Sequence, residues 1–202
     1  ISNGVCEVSN LLKSDDVINT LEAFKSMGVN ITEQNEKMTI YGKGINSLKK
    51  PKKEIYLGNS GTSARLLAGL LSSQSFDSKL IGDKSLSSRP MKRISDPLKK
   101  MNAEIYDNNG KLPLEIRGKE LFSTSIDIKI PSAQIKSGII LAALNTSGTT
   151  EIIENHISRD HTEIMLQSFE ADIDILKNNS KKIIKINGKK ELKSKNIDVP
   201  CD

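Results

Sequence analysis

One pattern recurs three times along the chain and narrows what it can fold into. Phe24-Lys25-Ser26-Met27-Gly28-Val29-Asn30-Ile31 returns as Leu98-Lys99-Lys100-Met101-Asn102-Ala103-Glu104-Ile105, then as Leu166-Gln167-Ser168-Phe169-Glu170-Ala171-Asp172-Ile173. The closing Ile recurs after 74 residues, from 31 to 105, and after 68, from 105 to 173. A second motif keeps similar time. Ile40-Tyr41-Gly42-Lys43, Ile116-Arg117-Gly118-Lys119 and Ile186-Asn187-Gly188-Lys189 each end an alternating strand at a Gly turn. Two motifs in step imply three copies of one supersecondary unit.

Each copy carries an amphipathic helix. Val17, Ile18, Leu21, Phe24 and Met27 recur at helical spacing behind the cap cluster Ser14-Asp15-Asp16. Ile94, Leu98 and Met101 repeat the stripe, with Pro97 expected to kink or delay that helix. Met165, Leu166 and Phe169 supply the third, with Asp160 as its cap. Two other helices are apolar all round: Leu66 to Leu71, and Ile139 to Leu144. A helix with no polar face is buried on every side, and these are too short to span a bilayer. The expected architecture is α/β (α+β): three βαβαββ-type units with helices inside and sheets outside. The first unit lacks its buried helix, so the chain is expected to be a piece of a longer one.

At 202 residues there is room for a sizeable core. Aromatics are only 3% and Trp is absent, so aliphatic side chains must build it, and a base-stacking platform for nucleic acid is disfavoured. The net charge of +5 comes from scattered Lys, concentrated between Lys177 and Lys195 and read as a solvated surface that attracts anions. No nucleic-acid motif, membrane span or signal peptide is visible. Cys6 and Cys201 sit at opposite ends, and His156 and His161 lack a third ligand. Neither metal nor disulfide chemistry is expected, and a reducing cytoplasm fits.

Three strand-to-helix turns carry the chemistry. In Leu57-Gly58-Asn59-Ser60-Gly61-Thr62-Ser63-Ala64-Arg65, Gly61 lets an anion approach the backbone at a helix start. Alone it would be a plain turn capped by Thr62. It is not a Walker loop, since no Gly-Lys-Ser/Thr follows. In Asp83-Lys84-Ser85-Leu86-Ser87-Ser88-Arg89-Pro90, Arg89 can clamp a carboxylate or phosphate with both nitrogens. Ser158-Arg159-Asp160 falls at the matching place in the third copy, so two Arg residues are expected to point into one mouth. Pro131-Ser132-Ala133-Gln134 aligns with the Gly61 turn and offers a hydroxyl and an amide for a polar ring. A general acid–base pair is not evident.

With these motifs in order, the chain resembles the 5-enolpyruvylshikimate-3-phosphate (EPSP) synthase family of enolpyruvyl transferases. The resemblance rests on Leu57 to Thr62, Gly82-Asp83 through Ser88-Arg89-Pro90-Met91, Ser132-Ala133-Gln134-Ile135-Lys136-Ser137, and Ser158 to Glu163. It implies transfer of the enolpyruvyl group of phosphoenolpyruvate to the 5-hydroxyl of shikimate 3-phosphate, with release of phosphate and no metal or organic cofactor. It implies that residues 1–202 are one domain, the first of two, contacting a second domain that holds the proton-moving acids. A Lys-Ser-x-x-x-Arg segment is expected ahead of Ile1. By the same resemblance, Gly61 and Arg89 contact phosphoenolpyruvate. Gln134 touches both substrates and is the catalytic candidate, and Ser132 with Ala133 meets the shikimate phosphate. Ser158 is a phosphate contact, Arg159 lies beside it, and Asn59 and Thr62 shape the Gly61 backbone. The inhibitor glyphosate would occupy the phosphoenolpyruvate site. A cytoplasmic monomer is expected, with no nucleic acid or membrane partner. The related UDP-N-acetylglucosamine transferases commonly carry a reactive Cys between positions 84 and 89, where this chain has Ser85, Ser87 and Ser88. A non-catalytic anion-binding module is the remaining alternative.

Overall fold

The computed structural model describes residues 1–178 and 181–200. The first copy comprises β1 (Asn3–Ser9), α1 (Asp15–Ser26), β2 (Asn30–Gln34) and β3 (Lys37–Lys43). The second runs β4 (Ile55–Tyr56), α2 (Gly61–Ser72), β5 (Ser78–Ile81), α3 (Lys84–Ser88), α4 (Lys92–Lys100), β6 (Glu104–Asn108) and β7 (Lys111–Arg117). The third runs β8 (Ser125–Ile128), α5 (Ala133–Leu144), β9 (Thr149–Glu154), α6 (His161–Ser168), β10 (Ile173–Lys177) and β11 (Lys182–Asn187), followed by β12 (Ile197–Asp198). They form three four-stranded sheets, ordered β12-β1-β3-β2, β4-β5-β7-β6 and β8-β9-β11-β10.

The first repeated motif is a helix exit. After α1, α4 and α6 the chain turns through a left-handed residue: Gly28 at φ 87°, Asn102 at 73° and Glu170 at 60°. Each exit makes the same pair of bonds. Val29, Ala103 and Ala171 donate to Phe24, Leu98 and Leu166, while Gly28, Asn102 and Glu170 donate to Lys25, Lys99 and Gln167. These bonds satisfy carbonyls that a helix end would otherwise orphan. Glu170 adopts this φ against its Cβ, and its partners Lys193 and Lys195 are exposed and contribute little. Glu170→Gly is therefore expected to raise stability by about 0.5 kcal/mol. A lower melting temperature for the variant would contradict this.

The second motif has a steric cause. A Cβ on Gly42, Gly118 or Gly188 would collide with the carbonyl oxygens of Ser2, Gln74 and Thr146 respectively. Gln74 and Thr146 follow the ends of α2 and α5, so backbone meets backbone there. Gly118 and Gly188 come directly after β7 and β11, whereas Gly42 lies inside β3.

Helices α2 and α5 form the interior, side by side and pointing the same way. At their starts Gln134 Nε2 donates to Thr62 Oγ1 at 2.9 Å, and at their ends Asn145 Nδ2 donates to the Ser73 carbonyl at 2.7 Å. Ala64, Ala68, Leu71, Ile139, Ile140, Ala142 and Ala143 are wholly buried between the sheets. Each such Leu or Ile contributes about 1.5–3 kcal/mol through burial.

Several local expectations need correcting. α4 runs as one element with Pro97 inside it. Ser14 caps α1 by accepting from the Val17 N–H, and Asp15 and Asp16 lie in its first turn. Asp160 precedes α6 without making a side-chain cap bond. Ile18 and Met165 face outward, 45% and 46% exposed, so the buried stripe of each helix is narrower than its apolar periodicity. Lys182 is buried rather than solvated, for a reason given below.

Candidate functional site

The site begins with two helix starts brought together. Ser60 caps α2 by accepting from the Ser63 N–H at 3.2 Å, and Ser132 caps α5 by accepting from the Ile135 N–H at 3.4 Å. Ser60, not Thr62, is therefore the cap of the first turn. The first main-chain bonds back into the two caps come from Ala64 and Lys136. The N–H groups of Gly61, Thr62, Ala133 and Gln134 precede those bonds and lie at the positive ends of two parallel helix dipoles.

Guanidinium groups crowd the same mouth. Arg65, one turn into α2, donates through Nη1 to the Gly61 carbonyl and to Gln134 Oε1, both at 2.9 Å, and through Nη2 to the Pro90 carbonyl at 3.3 Å. Arg89, which ends the short helix α3, donates to Asn59 Oδ1 at 2.6 Å. A Cβ on Gly61 would lie 2.7 Å from Arg65 Nη1 and 3.0 Å from Arg89 Nη1, so the missing side chain is what admits both groups. Burial, followed by the like charges of Arg89 and Arg93, holds the Arg65 pKa below its ordinary value. Among the described residues Arg117 pairs with Glu104, while Arg65 and Arg89 hydrogen-bond only to neutral oxygens. Such a cluster is relieved by an anion.

Gln134 is locked between these parts: its carbonyl oxygen accepts from Arg65 and its amide donates to Thr62. One amide proton is left to point outward. The structure thus gathers Asn59, Gly61, Thr62, Arg89 and Gln134 around one mouth, with Ser132 and Ala133 at the adjoining helix start.

The third turn differs from expectation. Ser158 Oγ donates to Glu154 Oε1 at 2.6 Å, and the Arg159 carbonyl accepts from Lys136 Nζ at 2.7 Å. Arg159 is tied by its main chain, and its exposed side chain makes no hydrogen bond or ion pair among the described residues. The second guanidinium beside Arg89 is Arg65. It stood inside the Gly61 motif, and its spacing of four from Gly61 was the available signal: one helical turn returns a side chain to the helix start.

A separate recess lies along β5, β6 and β7, bordered by Glu54, Lys79, Tyr106 and Arg117. Lys79 is matched with Glu54 and Glu115, and Arg117 with Glu104, whereas Lys52 and Lys53 of the same lining are exposed and make no ion pair among the described residues. The helix mouth is the candidate site because two guanidiniums without a carboxylate partner meet two helix starts there. Cys6 is buried and donates to the Lys195 carbonyl, and Cys201 lies outside the described residues. Among the described residues no His, Cys, Asp and Glu group could hold a metal ion, and no helix is long and apolar enough to cross a membrane.

The chain is similar to known proteins along its whole length. A family model for EPSP synthase (3-phosphoshikimate 1-carboxyvinyltransferase) matches residues 1–202. The 3-phosphoshikimate 1-carboxyvinyltransferase of Ruthia magnifica subsp. Calyptogena magnifica is 49% identical over 203 residues, which is 100% of this chain and 46% of that protein. The protein of that name from Geobacter sp. (strain M21) is 44% identical, over 100% of this chain and 47% of its own length. A solved structure of EPSP synthase from Acinetobacter baumannii superposes with a TM-score of 0.91 at 44% identity, covering 99% of this chain and 45% of that one. The chain spans about half the length of the curated relatives it matches.

Proposed function

This chain belongs to the EPSP synthase family, and on that premise we propose that it supplies one half of an enolpyruvyl transferase site. The whole protein would move the enolpyruvyl group of phosphoenolpyruvate to the 5-hydroxyl of shikimate 3-phosphate and release phosphate. Residues 1–202 form the first of two domains in this reading. The observation that carries it is the meeting of two parallel helix starts with two guanidiniums that have no carboxylate partner.

The proposed division of labour follows the geometry. Arg89, held by Asn59, and Arg65 clamp the anionic groups of phosphoenolpyruvate beside the bare Gly61 backbone. Gln134 donates its remaining amide proton where the two substrates meet, with Thr62 fixing the amide. Ser132, Ala133 and Ser158 receive the phosphate of shikimate 3-phosphate, with Arg159 beside them. Holding two anionic reactants in register lowers the entropic part of the barrier, and the proton-moving acids would come from the other domain. Glyphosate would compete for the Arg89–Gly61 half.

The direct test is a chemical-shift titration of the 202-residue chain with shikimate 3-phosphate. Amide signals of Ser132, Gln134 and Ser158 are expected to move; movement confined to the Lys-rich outer surface would remove the assignment. A phosphate-release assay of the same chain is expected to show no turnover, and normal turnover would place all the chemistry in this half.

Gly61→Ala provides a second test in the full-length enzyme. The methyl group would push both guanidinium tips aside, and those tips are flexible enough to yield without unfolding the chain. Glyphosate is expected to bind at least about tenfold more weakly, the equivalent of one charge-assisted hydrogen bond. Equal inhibition of both forms would count against the placing of the inhibitor at Gly61.

A further inference from the structure

Beneath the Ser158–Arg159 turn lie four ionisable side chains almost without solvent contact. Lys136 and Glu163 are 0% exposed, Glu154 and Lys182 1%. They come from four elements: α5, β9, α6 and β11. Their charges alternate around a closed ring. Lys136 Nζ lies 3.2 Å from Glu154 Oε2 and 2.9 Å from Glu163 Oε1, and Lys182 Nζ lies 3.6 Å and 2.7 Å from the same two oxygens. One oxygen of each carboxylate therefore bridges both ammonium groups.

Two bonds leave the ring toward the turn. Glu154 Oε1, the oxygen not shared with the lysines, accepts from Ser158 Oγ, and Lys136 Nζ donates to the Arg159 carbonyl. Stability does not account for this arrangement, because well-packed apolar side chains in place of a buried ion network are often as stable or more so. Apolar side chains could not hold that turn by a hydroxyl and a carbonyl at once.

We infer that the Lys136–Glu154–Glu163–Lys182 ring is a positioning device for the Ser158–Arg159 turn, and that Ser158 reaches a ligand phosphate by turning its hydroxyl proton away from Glu154. The inference rests on the reading that this turn meets the phosphate of shikimate 3-phosphate. The hydroxyl has one proton, which cannot serve Glu154 and a phosphate together. When it turns, the two lysines still neutralise Glu154. Lys136 and Glu154 are the positioning residues; Lys182 and Glu163 close the ring without touching the turn.

Two charge-balanced double variants of the 202-residue chain separate positioning from mere support. Lys136→Met with Glu154→Gln removes the members that hold the turn, and Lys182→Met with Glu163→Gln removes the other two. The first pair is expected to bind shikimate 3-phosphate at least about tenfold more weakly and to shift the ligand-free amides of Ser158 and Arg159, leaving those of Gly61 and Arg89 in place. The second pair is expected to weaken binding less than about threefold. Equal weakening in both pairs, or shifts that extend equally to Gly61 and Arg89, would overturn the inference.

If neither pair folds, the native chain decides. The Lys136 15Nζ resonance is expected to move on saturation with shikimate 3-phosphate, and an unmoved resonance beside a shifted Ser158 amide would overturn the inference. A native chain in which the Ser132, Gln134 and Ser158 amides ignore the ligand would sink the substrate reading instead. In that event, where the pairs do fold, their ligand-free Ser158 and Arg159 amides would still decide the positioning claim.

Discussion

Lys136→Met is expected to cost about 3–5 kcal/mol of folding stability, because it leaves two buried carboxylates facing a single ammonium group. Against a total on the order of 5–15 kcal/mol, that is enough to populate unfolded chain near body temperature. The urea midpoint followed by circular dichroism measures it, and a loss below about 1 kcal/mol would mean that the ring is hydrated or uncharged. Adding Glu163→Gln restores neutrality and should recover a substantial part of the loss, since neighbouring members of one ion network are not additive. The pH dependence follows from Lys182. Burial lowers its pKa, but the hydrogen bond to Glu163 and the charges of Glu163 and Glu154 outweigh burial and raise it above the ordinary value. A lysine raised on folding contributes fully below its unfolded pKa, about 10.4, and loses that contribution as pH climbs through the folded value. Stability should therefore show no loss from Lys182 between neutral pH and about 10, and fall above that.

Gly69→Ala is expected to be nearly as damaging for a different reason. A Cβ there would overlap the carbonyl of Gly138 in the facing helix, with the Gly138 carbonyl carbon at 2.6 Å and Cα at 3.0 Å. Gly138 reciprocates, its own Cβ position lying 2.6 Å from the Arg65 carbonyl. No rotamer change relieves a clash with backbone, so α2 and α5 would have to separate. The expected loss is at the upper end of the usual overpacking range, about 3 kcal/mol, or roughly a 6–12 °C fall in Tm for a chain of this size. A variant that melts with the wild type would show that the helices can slide apart freely. Gly61→Ala makes the contrast: its Cβ meets guanidinium tips at the mouth, so its effect should fall on ligand binding.

The repeats were legible because each encodes a local geometry. The helix exits at Gly28, Asn102 and Glu170 bond within a few residues of themselves, so their signature lies in contiguous sequence. The lack of a polar face likewise exposed α2 and α5 as interior helices. The mouth was partly legible, since Gly61, Arg89 and Gln134 sit in short motifs, but the turn of Arg65 back onto Gly61 and Gln134 needs two helices in parallel contact. The ring was not legible at all. Lys136 stood in the first turn of an apolar helix, where the dipole disfavours a cation, and Lys182 stood in what read as a solvated Lys-rich stretch. Only partners 18 to 28 residues away make either position tolerable.

The first sheet marks the same boundary. Its three central and edge strands β1, β3 and β2 follow from alternation along the chain, but its parallel edge is β12, recruited from beyond the third repeat, with Val8 opposite Ile197. In the other two sheets that place belongs to β4 and β8, the strands that lead into the buried helices. Sequence alone determined the repeating unit, its turns and its interior helices, because hydrogen bonding and hydrophobic period act over a few residues. Tertiary structure decided which strand closes the first sheet, which arginines share the mouth and which charges pair beneath it. Those outcomes depend on burial between segments distant in the chain, where a charge or a strand edge is stable only once its partner has arrived.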